Sequence, residues 1–247
     1  MTVDEQLWDP DEELALERLY GPWRSLSPAE VAALMEGVQA PWWLAGGHAI
    51  EAFTGVPRPH EDADMCFFGR DVPELRRHFE GRYHLWSVHA ATFRPLTDDH
   101  PEPLDLRSQI WIREHSQAPW LVDGLITPDV DGRWLSKRDP THVADLDEVT
   151  WVAGDGVRYL DPEIVLLFKA SLDRRKDRRD LEVAWPLLSE KRQTWLMDSL
   201  ARLYPDHRWR EVLLVGEPVR WPGQGVAPGP VRTRPSGSED EDGRQDI

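Results

Sequence analysis

Two aspartates one residue apart, Asp62 and Asp64, open the apolar run DADMCFF. Alternate side chains of a strand share a face, so both carboxylates point the same way. Two hard oxygen ligands on one face suit Mg²⁺, which takes one or two carboxylates and fills its shell with water and substrate phosphate. A third acid, Asp105, sits between Leu104 and Leu106 in a strand-like stretch. A carboxylate is costly to bury there unless it is paired or bound to a metal. If the two strands are neighbours, Asp105 joins the same site as a further metal ligand or as a general base on a hydroxyl. Upstream, Gly46-Gly47 falls between an apolar strand and a helix. Glycine lets the backbone approach a phosphate closely, and the helix start offers free N–H groups and a positive dipole end. Arg58 and His60 lead into the DADM strand and are placed to contact phosphate. His48 divides evenly between phosphate contact and helix packing.

Each signal has a plainer reading when taken singly. Gly-Gly after a strand is usually a turn. Asp-x-Asp is as often a solvated strand face, and Asp105 fits the surface of an edge strand. Their joint spacing is what makes the pattern specific. The chemistry it describes is phosphoryl-type transfer, with a triphosphate neutralised and an attacking oxygen aligned.

Several elements must position these groups. Ser27-Pro28-Ala29-Glu30 carries an N-cap serine, proline at the first helical position and glutamate at the third, and starts a helix to about Met35. Trp42–Ala45 reads as a short strand, roughly His48–Phe53 as a helix, and Asp62–Phe68 as a strand. Pro73–Glu80 reads as a helix. Strands are expected around Leu85–Val88, Leu104–Ile112 and Trp120–Ile126. Val149–Val152 and Val157–Leu160 flank Ala153-Gly154-Asp155-Gly156, a hairpin signal. After Asp161-Pro162 three helices follow, to about Leu203. The expected fold class is α+β, a mixed sheet with flanking helices followed by a helical C-terminal part. The expected organisation is an acidic extension with a short helix (1–24), an αβ core (25–160), a helical part (161–215) and a disordered acidic tail (216–247).

Charge divides unevenly along the 247 residues. The formal net charge is −16, from 29 Lys+Arg and 45 Asp+Glu. The first seventeen residues hold seven acids and no base, and from Asp9 they read as a short helix with acids in its first turn. Residues 217–247 hold six acids and four bases, a net of −2 that leaves −14 for the rest. The segment after Pro222 is rich in Pro, Gly and Ser and poor in large apolar residues, which is the composition of a disordered tail. Such acidity argues against nucleic-acid backbones and anionic membranes as partners. The single cysteine, Cys66, excludes an internal disulfide and any cysteine-based zinc cluster and reads as a small buried hydrophobe. The start of the chain lacks the basic-then-apolar pattern of a signal peptide, and no apolar run reaches about 20 residues. A cytoplasmic protein is expected. Thirteen tryptophans are expected mainly in core and helix packing.

The segment WWLAGGHAIEAFTGVPRPHEDADM resembles the small nucleotidyltransferases that inactivate antibiotics, most of all the lincosamide nucleotidyltransferases and the aminoglycoside 2″-adenylyltransferase group. Their pattern is carried here by Leu44, Gly46, Gly47, Arg58, His60, Asp62 and Asp64, with Leu104-Asp105-Leu106 matching a later acid. The run GVRYLDPEIVLLFKASLDRRKDRRDLE matches the family's second half through Pro162, Glu163, Leu167, Lys169, Lys176, Asp177 and Asp180-Leu181. The resemblance spans about residues 25–205. It implies a polymerase-β-like nucleotidyltransferase core, ATP with Mg²⁺, and AMP transfer to a hydroxyl. By the same resemblance Asp62 and Asp64 hold the metal and Gly46 and Gly47 line the triphosphate. Asp105 is base or third ligand, and Lys169 reaches a phosphate. The chain departs from the pattern at His48 (usually Trp), Glu51 (often Asp) and Ala63 (usually Ile), and its loop from Gly55 to Asp62 is one residue shorter. These changes touch the acceptor region and leave the carboxylates in place.

The function expected is AMP transfer from Mg-ATP to a small hydroxylated acceptor. An aminoglycoside would suit, since an acidic fold attracts a polycation. A lincosamide, a sugar or an amino alcohol is a further option. The alternatives are transfer to a protein hydroxyl, as in a toxin–antitoxin pair, and a non-catalytic nucleotide-binding module.

Overall fold

A computed structural model gives the structure. It describes residues 15, 17–90, 92–105, 107–214, 219 and 221. The acidic helix expected from Asp9 falls mostly outside these residues, with 15 and 17–20 helical. The tail expected over 216–247 also lies outside them, apart from 219 and 221.

Local chemistry starts the first full helix, α1 (Pro28–Leu34). The Ser27 hydroxyl accepts from the Glu30 N–H, and the Glu30 carboxylate accepts from the Ser27 N–H, so two otherwise unpaired donors are satisfied. Strand β1 (Trp42–Leu44) runs directly into α2 (Gly46–Thr54), which ends at Gly55 in the left-handed region. Next come β2 (Asp64–Phe68), α3 (Val72–Phe79), β3 (His84–His89), β4 (Thr92–Pro95), β5 (Gln109–Arg113) and β6 (Val122–Thr127). Three short strands, β7 (Asp129–Val130), β8 (Arg133–Leu135) and β9 (Val143–Ala144), form a small separate sheet. The one-turn helix α4 (Leu146–Val149) leads to the hairpin β10 (Thr150–Val152) and β11 (Arg158–Leu160).

Eight strands form the main sheet in the order β10-β11-β1-β2-β6-β5-β3-β4. It is mixed: β1–β11 and β2–β6 are parallel, and the other pairs are antiparallel. The parallel β2–β6 pair is central and sets Asp64 opposite Asp123. On one face Met65, Phe67, Ile110, Ile112 and Val122 are buried in the main apolar cluster with Val31, Leu75 and Phe79. The opposite face carries Asp64, Cys66 and Asp123.

The C-terminal part consists of α5 (Pro162–Ala170), α6 (Arg175–Ala184), α7 (Glu190–Leu203) and α8 (Arg208–Leu214). Helix α5 is buried at nearly every position and packs on α2 and α7, while α6 packs on α2 and α5. Helix α2 is therefore the seam between the sheet and the helical part. Among the described residues, no helix is long and apolar enough to cross a membrane.

One expected strand is much shorter than its apolar residues suggest. Of Leu104–Ile112 only Gln109 onward pairs in the sheet. Pro101 and Pro103 remove ladder donors just upstream. Asp105 then closes a turn: its carboxylate accepts from the Arg107 N–H at 2.7 Å, and its own N–H donates to Ser108 Oγ at 2.8 Å. Local side-chain bonds of this kind outcompete strand pairing.

Gly124 has no room for a side chain. A Cβ there would lie 2.7 Å from the Ile110 carbonyl oxygen and 2.9 Å from Phe67 Cε1. Gly124→Ala is expected to push β6 away from β5 and destabilise the fold by about 1–3 kcal/mol. The urea midpoint should fall accordingly, and an unchanged midpoint would show that the two strands separate freely.

Candidate active site

Three carboxylates meet at the start of β2. Asp62 lies two residues before the strand, Asp64 is its first residue, and Asp123 is directly across on β6. One oxygen from each lies within 4.8 Å of the others. Backbone bonds pin this junction. The Ala45 N–H donates to the Asp64 carbonyl at 2.9 Å, and the Asp123 N–H donates to the Ala63 carbonyl at 3.0 Å.

The carboxylates are crowded, with Asp123 buried and Asp62 and Asp64 partly so. Burial, then the charge of Asp64, pushes the Asp62 carboxyl up to about 6. Burial also raises Asp64, against the pull of Lys169, Arg174, Lys176 and Arg58. Asp123 is held well above the ordinary carboxylate range by burial and by both neighbouring acids, with Lys137 opposing. Its Oδ2 accepts from Gln109 Nε2 at 2.6 Å and the Trp111 indole N–H acts on the same carboxylate, while Oδ1 is buried with no close hydrogen-bond partner among the described residues. Hard oxygens converging at this spacing, one of them orphaned, fit a small divalent cation.

The site corrects the assignment of the third acid. Asp105 is exposed in its turn and takes no part in the triad. Asp123 stands in the position expected for it. The signal was present in LVDGLI, where one acid interrupts an apolar strand. It resembles Leu104-Asp105-Leu106 in pattern, and unlike that segment it has no proline beside it.

Gly46 and Gly47 make room for the site's own side chains. Gly46 has φ +60°, and a Cβ on it would overlap Asp64 Oδ2. A Cβ on Gly47 would overlap the Arg58 guanidinium and come within 2.7 Å of His60 Nδ1. Both glycines fall in the first turn of α2, which starts at Gly46 and not at the expected His48.

The structure places the two histidines as a packed pair. The rings of His48 and His60 stack at 3.8 Å, and His60 Nε2 lies 2.7 Å from Glu51 Oε2. Burial and the neighbouring ring lower His48 to about 4, and burial lowers His60 as well. Arg58 forms a two-pronged ion pair with Asp180 of α6, at 2.9 and 3.1 Å. Lys169 is buried on α5 and pairs with Asp180 at 2.8 Å and Asp177 at 3.3 Å. Arg174 also binds Asp177, and Lys176 binds Glu61 at 2.8 Å. The helical part thus turns a wall of bases toward the carboxylates. Lys137, between β8 and β9, acts on Asp64 and Asp123 from another side, and sequence reasoning missed both it and Arg174.

No family model matches the chain, and no curated protein matches it. Solved structures are similar to it, among them the following three. The solution structure of the antibiotic-resistance factor ANT(2″)-Ia has 18% identity and a TM-score of 0.46, covering 78% of this chain and 95% of its own. The lincomycin-bound lincosamide antibiotic adenylyltransferase LnuA has 20% identity and a TM-score of 0.45, covering 65% and 95%. A crystal structure of ANT(2″)-Ia with adenylyl-2″-tobramycin has 17% identity and a TM-score of 0.45, covering 70% and 95%. At this distance, function has to be argued from the site's own residues.

Asp123→Asn tests the crowding directly. An acid whose folded pKa is raised opposes folding once it ionises, so stability is lost as pH rises from its unfolded value through its folded one. Removing one acid of three should therefore raise the melting temperature at pH 7.5 in metal-free buffer by a few degrees, since about 1 kcal/mol shifts it by about 2–4 °C. The Asn side chain can still accept from Gln109. The variant should also lose most of the stabilisation that millimolar Mg²⁺ gives the wild type. A metal-free melting temperature below that of the wild type would contradict the crowding.

Proposed function

We propose that this chain is a nucleotidyltransferase that moves AMP from ATP to a hydroxyl of a small molecule. One observation supports the reading above the others: three converging carboxylates face a wall of bases. Acids on one side suit a divalent cation, and bases on the other suit the phosphates of a nucleoside triphosphate. A structural ion-pair network would not need a buried, unpartnered carboxylate oxygen at its centre.

Asp62 and Asp64 would hold Mg²⁺, with Asp123 completing the set or acting as base. A bound Mg²⁺ supplies charge neutralisation at the phosphate oxygens. The protein's own groups account for the rest. Lys176 and Arg174 would attract the triphosphate, and Lys137 would act from the side of Asp123. The acceptor oxygen forms a bond to the α-phosphorus, the bond from that phosphorus to the bridging oxygen breaks, and pyrophosphate leaves. The hydroxyl proton passes to Asp123 as general base. Arg58 and Lys169 act one step back, because their pairs with Asp180 and Asp177 hold the helical part against α2.

The test is AMP transfer from labelled ATP with Mg²⁺ to a panel of acceptors that includes tobramycin, lincomycin and simple amino alcohols. At least one should be modified by the wild type. Asp62→Asn and Asp64→Asn should abolish transfer, and Asp123→Asn should slow it by about 10²–10⁴-fold. Asp105→Asn should stay within twofold of wild type. Full turnover in both Asp62→Asn and Asp64→Asn would overturn the metal assignment. Tight Mg-ATP binding with no transfer to any acceptor would favour a nucleotide-binding module.

A further inference from the structure

The row of side chains that holds the triad continues across the sheet as aromatic surface. Cross-strand partners share a face, and the register pairs Asp64 with Asp123, Asp123 with Trp111, and Trp111 with Trp86. Neighbouring strands are about 4.8 Å apart, so the Trp111 ring starts one strand from Asp123 and Trp86 one strand further. Phe93 adjoins Trp111 with centroids 5.0 Å apart. These three rings are only partly buried.

A strap from the N-terminal side lies along this surface. Tyr20 stacks on Phe93 at 4.8 Å, and Trp23 meets Trp111 edge-on at 4.8 Å. Backbone bonds to Trp120 hold the strap: the Arg24 N–H donates to the Trp120 carbonyl, and the Trp120 N–H donates to the Pro22 carbonyl. Tyr20 and Trp23 also remain partly exposed.

Two features tie this surface to the site and limit what it can hold. The Trp111 indole N–H acts on the Asp123 carboxylate, so the row of rings begins at the triad itself. The charge beside the rings is positive, because the Arg113 guanidinium sits 5.0 Å over Trp86 and 4.2 Å over Trp120. A polycation approaching along the rings would meet that charge, whatever the net acidity of the chain.

Resting on the transfer reading above, we propose that the Trp111–Trp86 surface and its Tyr20–Trp23 strap form the acceptor subsite. Its ligand is a neutral hydroxylated molecule with an apolar ring face, such as an aryl glycoside, and its hydroxyl is delivered toward Asp123. Aromatic side chains suit such a face because they give large contact area without requiring charge. Trp111 would be the specificity-determining residue, being nearest the carboxylates.

Binding without nucleotide tests this apart from turnover. The probes are p-nitrophenyl β-D-glucopyranoside and tobramycin, measured by calorimetry and by saturation-transfer NMR on the full chain. The aryl glycoside should bind the wild type more tightly than tobramycin does. Trp111→Ala should weaken it at least tenfold, and Trp111→Phe should restore it to within about threefold. Mg-ATP affinity should stay within twofold in Trp86→Ala. If Trp111→Ala fails to fold, Trp86→Ala gives the same readout from one strand further away. Wild-type affinity in folded Trp111→Ala and Trp86→Ala, or binding of tobramycin alone, would overturn the proposal. Absence of AMP transfer would remove the transfer reading and leave the ring-binding result to stand or fall separately.

Discussion

Like charges forced together at the head of β2 set the terms for the rest of the molecule. Asp62, Asp64 and Asp123 share a crowded corner, and each raises the energy of the others' ionised forms. Such an arrangement persists only if the surrounding structure holds it. Central strands do so here, since the β2–β6 register and two backbone bonds leave the acids no room to separate. Most of the opposing charge comes from the helical part, with Arg58 and Lys137 adding to it from the core.

The glycines and the helical part follow from that constraint. Asp64 stays where it is because Gly46 has no side chain, and Arg58 and His60 pass beside Gly47 for the same reason. Arg58 then reaches Asp180, which also holds Lys169, so one buried cluster fastens α5 and α6 to the core. Breaking such a cluster would leave uncompensated buried charge, which is far more costly than losing a surface pair. The same contacts that stabilise the seam between the two parts therefore keep the bases aimed at the acids.

How much of this was legible in the sequence depended on how local the cause was. The capping box at Ser27, the strand into Gly46-Gly47, and the nearness of Asp62 to Asp64 all come from neighbours in the chain, although Asp62 precedes the strand on which it was expected. The third acid does not. Leu-Asp-Leu and Val-Asp-Gly both look like an acid in an apolar strand, and the two prolines before Asp105 were the clue that its segment turns. Lys169 could be read as a solvated helix lysine or as a phosphate contact, and it proved to be buried in an ion-pair cluster. His48 packs on His60, an arrangement with no signature in either residue's local sequence.

The sequence alone determined the residue types, the Asp-x-Asp spacing, most of the longer elements and the mixed α+β class, because periodicity, caps and turn chemistry act over a few residues. Only the tertiary structure decided which third carboxylate joins the first two. It also decided what fills the space beside the glycines, and that a row of tryptophans continues from the acids across the sheet. The physical reason is register: β5, β6 and β2 are far apart in sequence, and their alignment depends on packing summed over the whole sheet.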